Sequence, residues 1–376
     1  MRKLCYLAII TPMRVFVDRM EFEEVLTKAK LAVEKRTALP VLNNFKLSVQ
    51  EDRLSVYATD LESFLVLDLP ARVEEVGEVS VNADKLTSIV KELSSAEVYM
   101  EIVEDKLLVK GGKSQFKLVC GDPSEFPEFP EVQCKTAISN SLLLKGISKV
   151  QYAISKEDTR YALQGMYVVN KDGKLHFVGS DGYRLALYMN EGNPLEEDLL
   201  FPRKSLKVLE KLLKDAIGDV EVGKDESFVH VKGDGWRLSV RLLEGEYPDY
   251  MAVIPTDYTL SVLLDKNEFE NALNRLSAIA SSTAFPVKLV LTNEVVRVEI
   301  SDPEFGEGRD EVNVLEGTVP EPLEIGFNGK YLLEAIGEFD SDRVYLKAID
   351  PDSPVLLESA NPEKDPYLCI IMPMRL

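Results

Sequence analysis

The sequence is poor in the residues that usually do chemistry. It has two histidines, four cysteines and one tryptophan in 376 residues. His176 and His230 sit in the alternating segments Leu175-His176-Phe177 and Val229-His230-Val231, which read as exposed strand positions rather than a metal pair. Cys5, Cys120, Cys134 and Cys369 form no C-x-x-C pair and are too few for a disulfide framework in so long a chain, so reduced thiols and a cytoplasmic location are expected. No H-E-x-x-H or Cys/His zinc spacing occurs, so no metal and no cofactor is expected. Gly111-Gly112-Lys113-Ser114 resembles the tail of a phosphate-binding loop, but Leu107 stands where the leading glycine belongs. No apolar run approaches the ~20 residues of a membrane helix, and no membrane partner is expected. Met1-Arg2-Lys3 followed by Leu4 to Ile10 imitates a short signal peptide without a small-x-small cleavage site. Residues 1–12 therefore read as an extension ahead of an internal start at Met13.

Positive charge is also scarce. Lys and Arg total 44 against 64 Asp and Glu, a net charge of −20. Such a chain is repelled by nucleic acid as a whole, and any DNA contact needs locally clustered cations. Hydrophobic residues at 45% and charged residues at 29% exclude a mainly disordered chain.

What the sequence does have is an internal repeat. The windows from Phe45, Met166 and Val287, each sixteen residues long, follow one another at intervals of 121 residues without an internal gap. They end in Thr59-Asp60, Ser180-Asp181 and Ser301-Asp302. Each reads as two alternating strands around a polar turn, with Asp172-Gly173 the clearest hairpin signal. The hydroxyl–Asp pairs have no matching histidine and read as turn formers, not nucleophiles. Helical spacing predicts one helix before each window, over Phe22–Lys35, Leu142–Lys156 and Phe269–Ser281. A second helix is predicted after each, starting at Val81, Phe201 and Phe327, with Lys85, Lys204 and Lys330 at the same place. The period is too long for a solenoid and indicates tandem copies of a whole domain. The fold class is α+β, since hairpin-linked strands imply antiparallel sheets. The predicted domains are 13–135, 136–256 and 257–376.

The predicted helices hold many of the lysines. Lys204, Lys207, Lys211 and Lys214 share one helical face, while Leu206, Leu209, Leu213 and Ile217 share another that would meet a sheet. Lys28, Lys35 and Arg36 mark the first helix, and Lys145, Lys149 and Lys156 the third. On charge alone these are solvated helix faces or a phosphate-facing surface. No carboxylate pair stands out as catalytic, and three copies of a domain without copied chemistry suit a scaffold rather than an enzyme.

The order Leu39-Pro40-Val41-Leu42-Asn43-Asn44, Thr59-Asp60-Leu61-Glu62, Arg160-Tyr161, Ser180-Asp181-Gly182-Tyr183-Arg184-Leu185-Ala186, Phe201-Pro202-Arg203-Lys204, Tyr247-Pro248-Asp249-Tyr250 and Ile371-Met372-Pro373-Met374-Arg375-Leu376 resembles the bacterial DNA sliding clamps, the β subunits of DNA polymerase III. The resemblance runs from Met13 to Leu376. It implies three clamp-type domains, each with two helices packed on antiparallel sheets. It also implies a head-to-tail homodimer closing a six-domain ring around duplex DNA, with helices lining the hole. Implied partners are sequence-independent duplex DNA, the polymerase III polymerase subunit, an ATP-driven clamp loader, and other polymerases and repair proteins carrying short clamp-binding peptides.

The family's peptide cleft carries over onto Leu163, Ser180, Gly182, Tyr183, Arg184 and Leu185, onto Pro248, Val253 and Pro354, and onto Ile370, Met372, Pro373, Met374, Arg375 and Leu376. An extended Gln-Leu-x-Leu-Phe-type segment would place its apolar anchors there. Tyr183 stands where a histidine is frequent and Ala252 where a basic residue occurs. Implied DNA contacts are Arg36, Arg160 and Tyr161, with Lys149, Gln151 and Lys204 added from helix position. The implied dimer seam pairs Phe116 and Leu118 with Ile279 and Ala280 of the other subunit, with Lys113 facing Glu304 or Glu307. Two other classes stay open on the residues alone: a clamp-like protein scaffold without a DNA role, and a hydrolase using unidentified carboxylates.

Overall fold

The computed structural model describes residues 12–34, 39–157, 159–281 and 285–375. Its described residues hold six α-helices: α1 (Arg19–Ala29), α2 (Ala83–Glu92), α3 (Asn140–Val150), α4 (Arg203–Lys214), α5 (Lys266–Ser277) and α6 (Gly329–Gly337). Four begin on a side-chain cap. Asp18 accepts from the backbone N–H groups of Met20 and Glu21, Asn82 from Lys85, Asp265 from Glu268 and Asn328 from Lys330. The predicted helices from Val81, Phe201 and Phe327 start two residues later than expected, at Ala83, Arg203 and Gly329. The preceding pairs, Val81-Asn82, Phe201-Pro202 and Phe327-Asn328, instead end strands.

The repeat windows fold as hairpins: Asn44–Gln50 with Arg53–Thr59, Gly165–Lys171 with Lys174–Ser180, and Pro286–Leu291 with Val295–Asp302. In the middle hairpin Asp172 and Gly173 have φ of 51° and 79°, the left-handed pair that a two-residue hairpin turn needs. The hydroxyl–Asp pairs make turns. Thr59 Oγ1 accepts from Leu61 N, Asp60 from Glu62 and Ser63 N, and Asp302 from Glu304 and Phe305 N.

The strands pair antiparallel, and the chain divides into two compact units. The first combines residues 1–140 with 204–242 around a thirteen-stranded sheet. The second combines 141–203 with 243–376 around a twelve-stranded sheet. Three repeats give two units because sheets run through the joins. In the first unit Trp236–Arg241 lies beside Ser63–Pro70, pairing Arg237 with Val66 and Ser239 with Phe64. In the second, Arg184–Asn190 lies beside Tyr367–Ile371, pairing Leu185 with Ile370 and Leu187 with Leu368.

The helices cover these sheets with apolar faces. α4 buries Leu206, Leu209, Leu212 and Leu213, each worth ~1.5–3 kcal/mol of transfer free energy. Ile217 was expected on this face, but α4 ends at Lys214 and Ile217 is 94% exposed in the following turn. The histidines also differ from expectation. His176 and His230 are buried, because their strands are covered on both faces. His176 Nδ1 lies 2.8 Å from the Tyr250 hydroxyl, and burial holds its imidazole below the ordinary value near 6.5. Among the described residues no helix is long and apolar enough to cross a membrane.

Candidate functional site

The second unit contains a groove of about 580 Å³, counting its open mouth. One wall is the turn Ser180-Asp181-Gly182. Ser180 Oγ donates to the Arg184 carbonyl at 2.8 Å and accepts from Gly182 N at 3.1 Å. Asp181 Oδ1 accepts from the backbone of Tyr183 and Arg184 at 3.0 Å each, and Oδ2 takes Arg184 Nε at 3.1 Å. Gly182 has φ of 83°, and a Cβ there would stand 2.5 Å from Arg160 Nη2. The left-handed backbone of this turn favours glycine, and the Arg160 guanidinium lies against its open face.

Arg184 is buried beneath this turn. It holds Asp181 and Glu334, donates to the Tyr152 carbonyl at 2.7 Å, and faces the rings of Tyr152 and Tyr331 at 4.9 and 4.2 Å. Burial opposes its charge, and the Glu334 and Asp181 carboxylates outweigh it, so its pKa is raised. It is a braced wall rather than a free cation. The opposite wall is Tyr247-Pro248-Asp249-Tyr250. Tyr247 stacks on Tyr167 at 4.8 Å between centroids, and Tyr250 is tied to His176. The Tyr247 hydroxyl is buried with no hydrogen-bond partner, and burial pushes its pKa well up. Leu185 and Ile370 form the apolar floor, backed by a core cluster that includes Val178, Leu187 and Leu356. Met372 reaches the rim, its N donating to the Tyr183 carbonyl at 2.8 Å, and beyond it Met374 N donates to the Gly326 carbonyl at 2.9 Å.

Nine of the expected cleft residues line this groove: Leu163, Ser180, Gly182, Arg184, Leu185, Pro248, Val253, Ile370 and Met372. Tyr183, Pro354, Pro373, Met374 and Arg375 are placed outside its lining, and Leu376 falls outside the described residues. Tyr183 is 65% exposed and Arg375 reaches Asp352 at 3.8 Å. Three lining residues were missed: Tyr247, Asp249 and Tyr250. All belong to a stretch already singled out, but only its proline was assigned. Arg160, assigned to DNA, also lines the groove.

The charged candidates fare differently. Lys149 is corrected: it is 1% exposed, and its ammonium binds Asp365 and Asp340 at 3.1 Å and the Glu338 carbonyl. A cation so enclosed reaches no phosphate. Its position on α3 gave the right helix but the wrong face. Lys204 is more than half exposed but is engaged by Asp60 at 2.7 Å and Glu62 at 3.1 Å. Lys28 is held by Glu24 and Asp215, and Lys145 by Asp340. Lys207 and Lys211 lie exposed on α4. Gln151 opens a short 3-10 turn, Tyr161 is 55% exposed, and Arg36 lies outside the described residues.

Two sheet segments have one unpaired side among the described residues. Ser114–Gly121 pairs along Lys106–Gly111, but with Gly77–Asn82 only at Cys120 and Gly121. Phe116 is exposed on this segment, next to Lys113, with Leu118 half-buried. Residues 306–313 pair with Val295–Asp302 alone before the strand crosses to Leu260–Asp265. Ile279 packs against Gly308 of this segment, Ala280 follows it, and Glu304 sits in the turn before it.

Sequence models of the DNA polymerase III beta subunit match in three parts: the N-terminal domain over 13–130, the central domain over 137–249 and the C-terminal domain over 251–375. The chain belongs to the bacterial β sliding clamp family. A beta sliding clamp of Caulobacter vibrioides is 31% identical over 377 residues, covering 97% of this chain and all of the relative. One from Pseudomonas putida is 33% identical over 358 residues, covering 92% of this chain and 95% of the relative. The crystal structure of the DNA polymerase III subunit beta of Pseudomonas aeruginosa superposes with a TM-score of 0.91 at 30% identity, over 97% of this chain and 100% of that one. The three-domain clamp architecture and the function of DNA sliding clamp follow from this membership.

Proposed function

We propose that this sliding clamp works as a head-to-tail homodimer that encircles duplex DNA and holds the polymerase III polymerase subunit to it. The full-length match to all three β-subunit domains carries this reading. The two half-open sheet segments support the dimer, since backbone edges at Ser114–Gly121 and at 306–313 can pair across a heterologous contact that closes. DNA is gripped loosely and without sequence preference, through phosphate contacts that salt weakens. Arg36, Gln151, Arg160, Tyr161 and Lys204 remain the assigned contacts, and exposed Lys207 and Lys211 add to them.

Partners dock in the second unit's groove through extended peptides with apolar anchors. Methionine at the rim adapts to varied side chains and the prolines hold it rigid. The same groove serves the clamp loader, other polymerases and repair proteins in turn. The role is non-enzymatic and cytoplasmic, and opening the ring requires a loader that supplies ATP energy. Deleting Met372–Leu376 tests the groove. Binding of a fluorescent Gln-Leu-x-Leu-Phe-type peptide should be lost while sedimentation still reports a dimer. Unchanged peptide affinity would refute the assignment.

A further inference from the structure

The groove has a counterpart in the first unit. The wall sequence Glu246-Tyr247-Pro248-Asp249-Tyr250 is repeated 121 residues earlier as Glu125-Phe126-Pro127-Glu128-Phe129. The strands beneath follow the same offset. Phe64 occupies the place of Leu185, and Val66 that of Leu187. Each is crossed by a strand from the next repeat in the same register, Ser239 opposite Phe64 as Ile370 is opposite Leu185, and Arg237 opposite Val66 as Leu368 is opposite Leu187. At this place the first unit has an open pocket of about 820 Å³, lined by Tyr57, Phe64, Val66, Phe129, Lys232, Arg237 and Ser239 among others.

The repeat preserves the shape and changes the chemistry. Phe129 stands edge-on to Tyr57 and Phe64, at 5.0 and 5.2 Å, making an aromatic wall. Where the corresponding strand of the other unit has Ile370 and Leu368, this one has a hydroxyl and a guanidinium. Ser239 is buried and fixed to His230 Nδ1 at 2.8 Å, and His230 Nε2 meets Asp225 at 3.1 Å. Arg237 engages Asp68 through Nη1 at 3.3 Å, and a guanidinium has five donors to offer. Lys232, about half exposed, meets Glu221 at 3.3 Å. Glu131 is the one carboxylate on the lining.

We propose that this pocket is a second peptide-docking site, selective for an extended acidic segment whose aromatic or leucine anchor lies on Phe129 and whose carboxylates meet Arg237 and Lys232. Charge complementarity selects the occupant. Two of the three charged residues on the lining are cations, Arg237 and Lys232; each shares its charge with one carboxylate, and together they make this apolar cup more receptive to an acidic segment than the rest of a chain of net charge −20. The proposal goes beyond the polymerase groove and does not depend on what binds there.

The test uses the full chain and fluorescein-labelled hexapeptides carrying Leu-Phe followed by zero to three aspartates, read by fluorescence anisotropy. Affinity should rise with each aspartate. Lys232→Glu with Arg237→Glu should weaken the tri-aspartate peptide by about a hundredfold, the equivalent of two lost charge-assisted hydrogen bonds. Lys232→Glu alone, at a half-exposed side chain, should weaken it in the same direction and guards against misfolding of the double variant. Deletion of Met372–Leu376 should leave this binding intact. Absence of binding, indifference to aspartate number, or indifference to both variants overturns the proposal. Loss of binding on the deletion would place the peptide in the polymerase groove and overturn it equally, while leaving that groove's role standing.

Discussion

Lys149 and Lys204 are the same side chain on successive helices of the sequence, yet they do different work. Lys149 is enclosed with Asp365, which also accepts from the backbone of Asp340 and Ser341 at 2.8 and 3.0 Å. Removing the cation strands a buried carboxylate, which typically costs ~3–5 kcal/mol. Lys149→Met should therefore lower the urea midpoint strongly, while DNA retention per folded ring stays the same. Lys204 keeps much of its surface, but its charge is shared with Asp60 and Glu62. Lys207→Glu with Lys211→Glu should accordingly weaken DNA retention more than Lys204→Glu does, compared at equal salt. His176 gives a pH dependence of definite sign. Its pKa is depressed by burial, so the unfolded chain takes up the proton first. Stability is full above the unfolded value of about 6.5 and is lost as pH falls through it toward the folded value. Urea midpoints at pH 7.5 and 5.5 should differ by less in His176→Phe than in the natural chain.

The helices and hairpins were legible because their signals are local. The Asp172-Gly173 turn and each hydroxyl–Asp turn are written within a few residues of sequence, and the 121-residue repeat states each of these local signals three times. Helix starts were misplaced by two residues because an apolar residue and a following Asn read equally well as a first helical turn. The structure uses Asn82 and Asn328 as caps instead. Strand neighbours across the joins were not legible, since nothing near Trp236 states that Ser63–Pro70 will lie beside it. The groove was recovered in part for a related reason. Its aliphatic and proline residues came with the family resemblance, whereas Tyr247 and Tyr250, though in the same family-like stretch, were given no cleft role. One helix position is unusually exacting. A Cβ on Gly146 of α3 would collide with the Phe177 ring. Gly146→Ala should cost about 1–3 kcal/mol of stability through overpacking, despite the better helix propensity of alanine. A neutral or stabilising result in chemical denaturation would show that α3 lifts freely from its sheet.

For the whole molecule, charge and topology make separable demands. A dimer of about twice 42.2 kDa carries twice the −20 of one chain, so its hold on DNA cannot rest on net attraction. Retention on nicked circular DNA should survive salt that abolishes simple phosphate contacts, and linearising the DNA should release the protein. Equal loss from both forms would remove the encircling role. Sedimentation equilibrium from nanomolar to micromolar concentration should show the dimer directly. The sheets that run through the joins also govern how the chain can be divided. A fragment cut to the central family segment, 137–249, would carry Arg184–Asn190 and Trp236–Arg241 without their neighbours Tyr367–Ile371 and Ser63–Pro70. It would offer two bare backbone edges at once, an invitation to polymerise rather than a folded third of the molecule. The units of descent and the units of cohesion are thus out of phase by half a domain, and no pair of scissions recovers an ancestral copy intact.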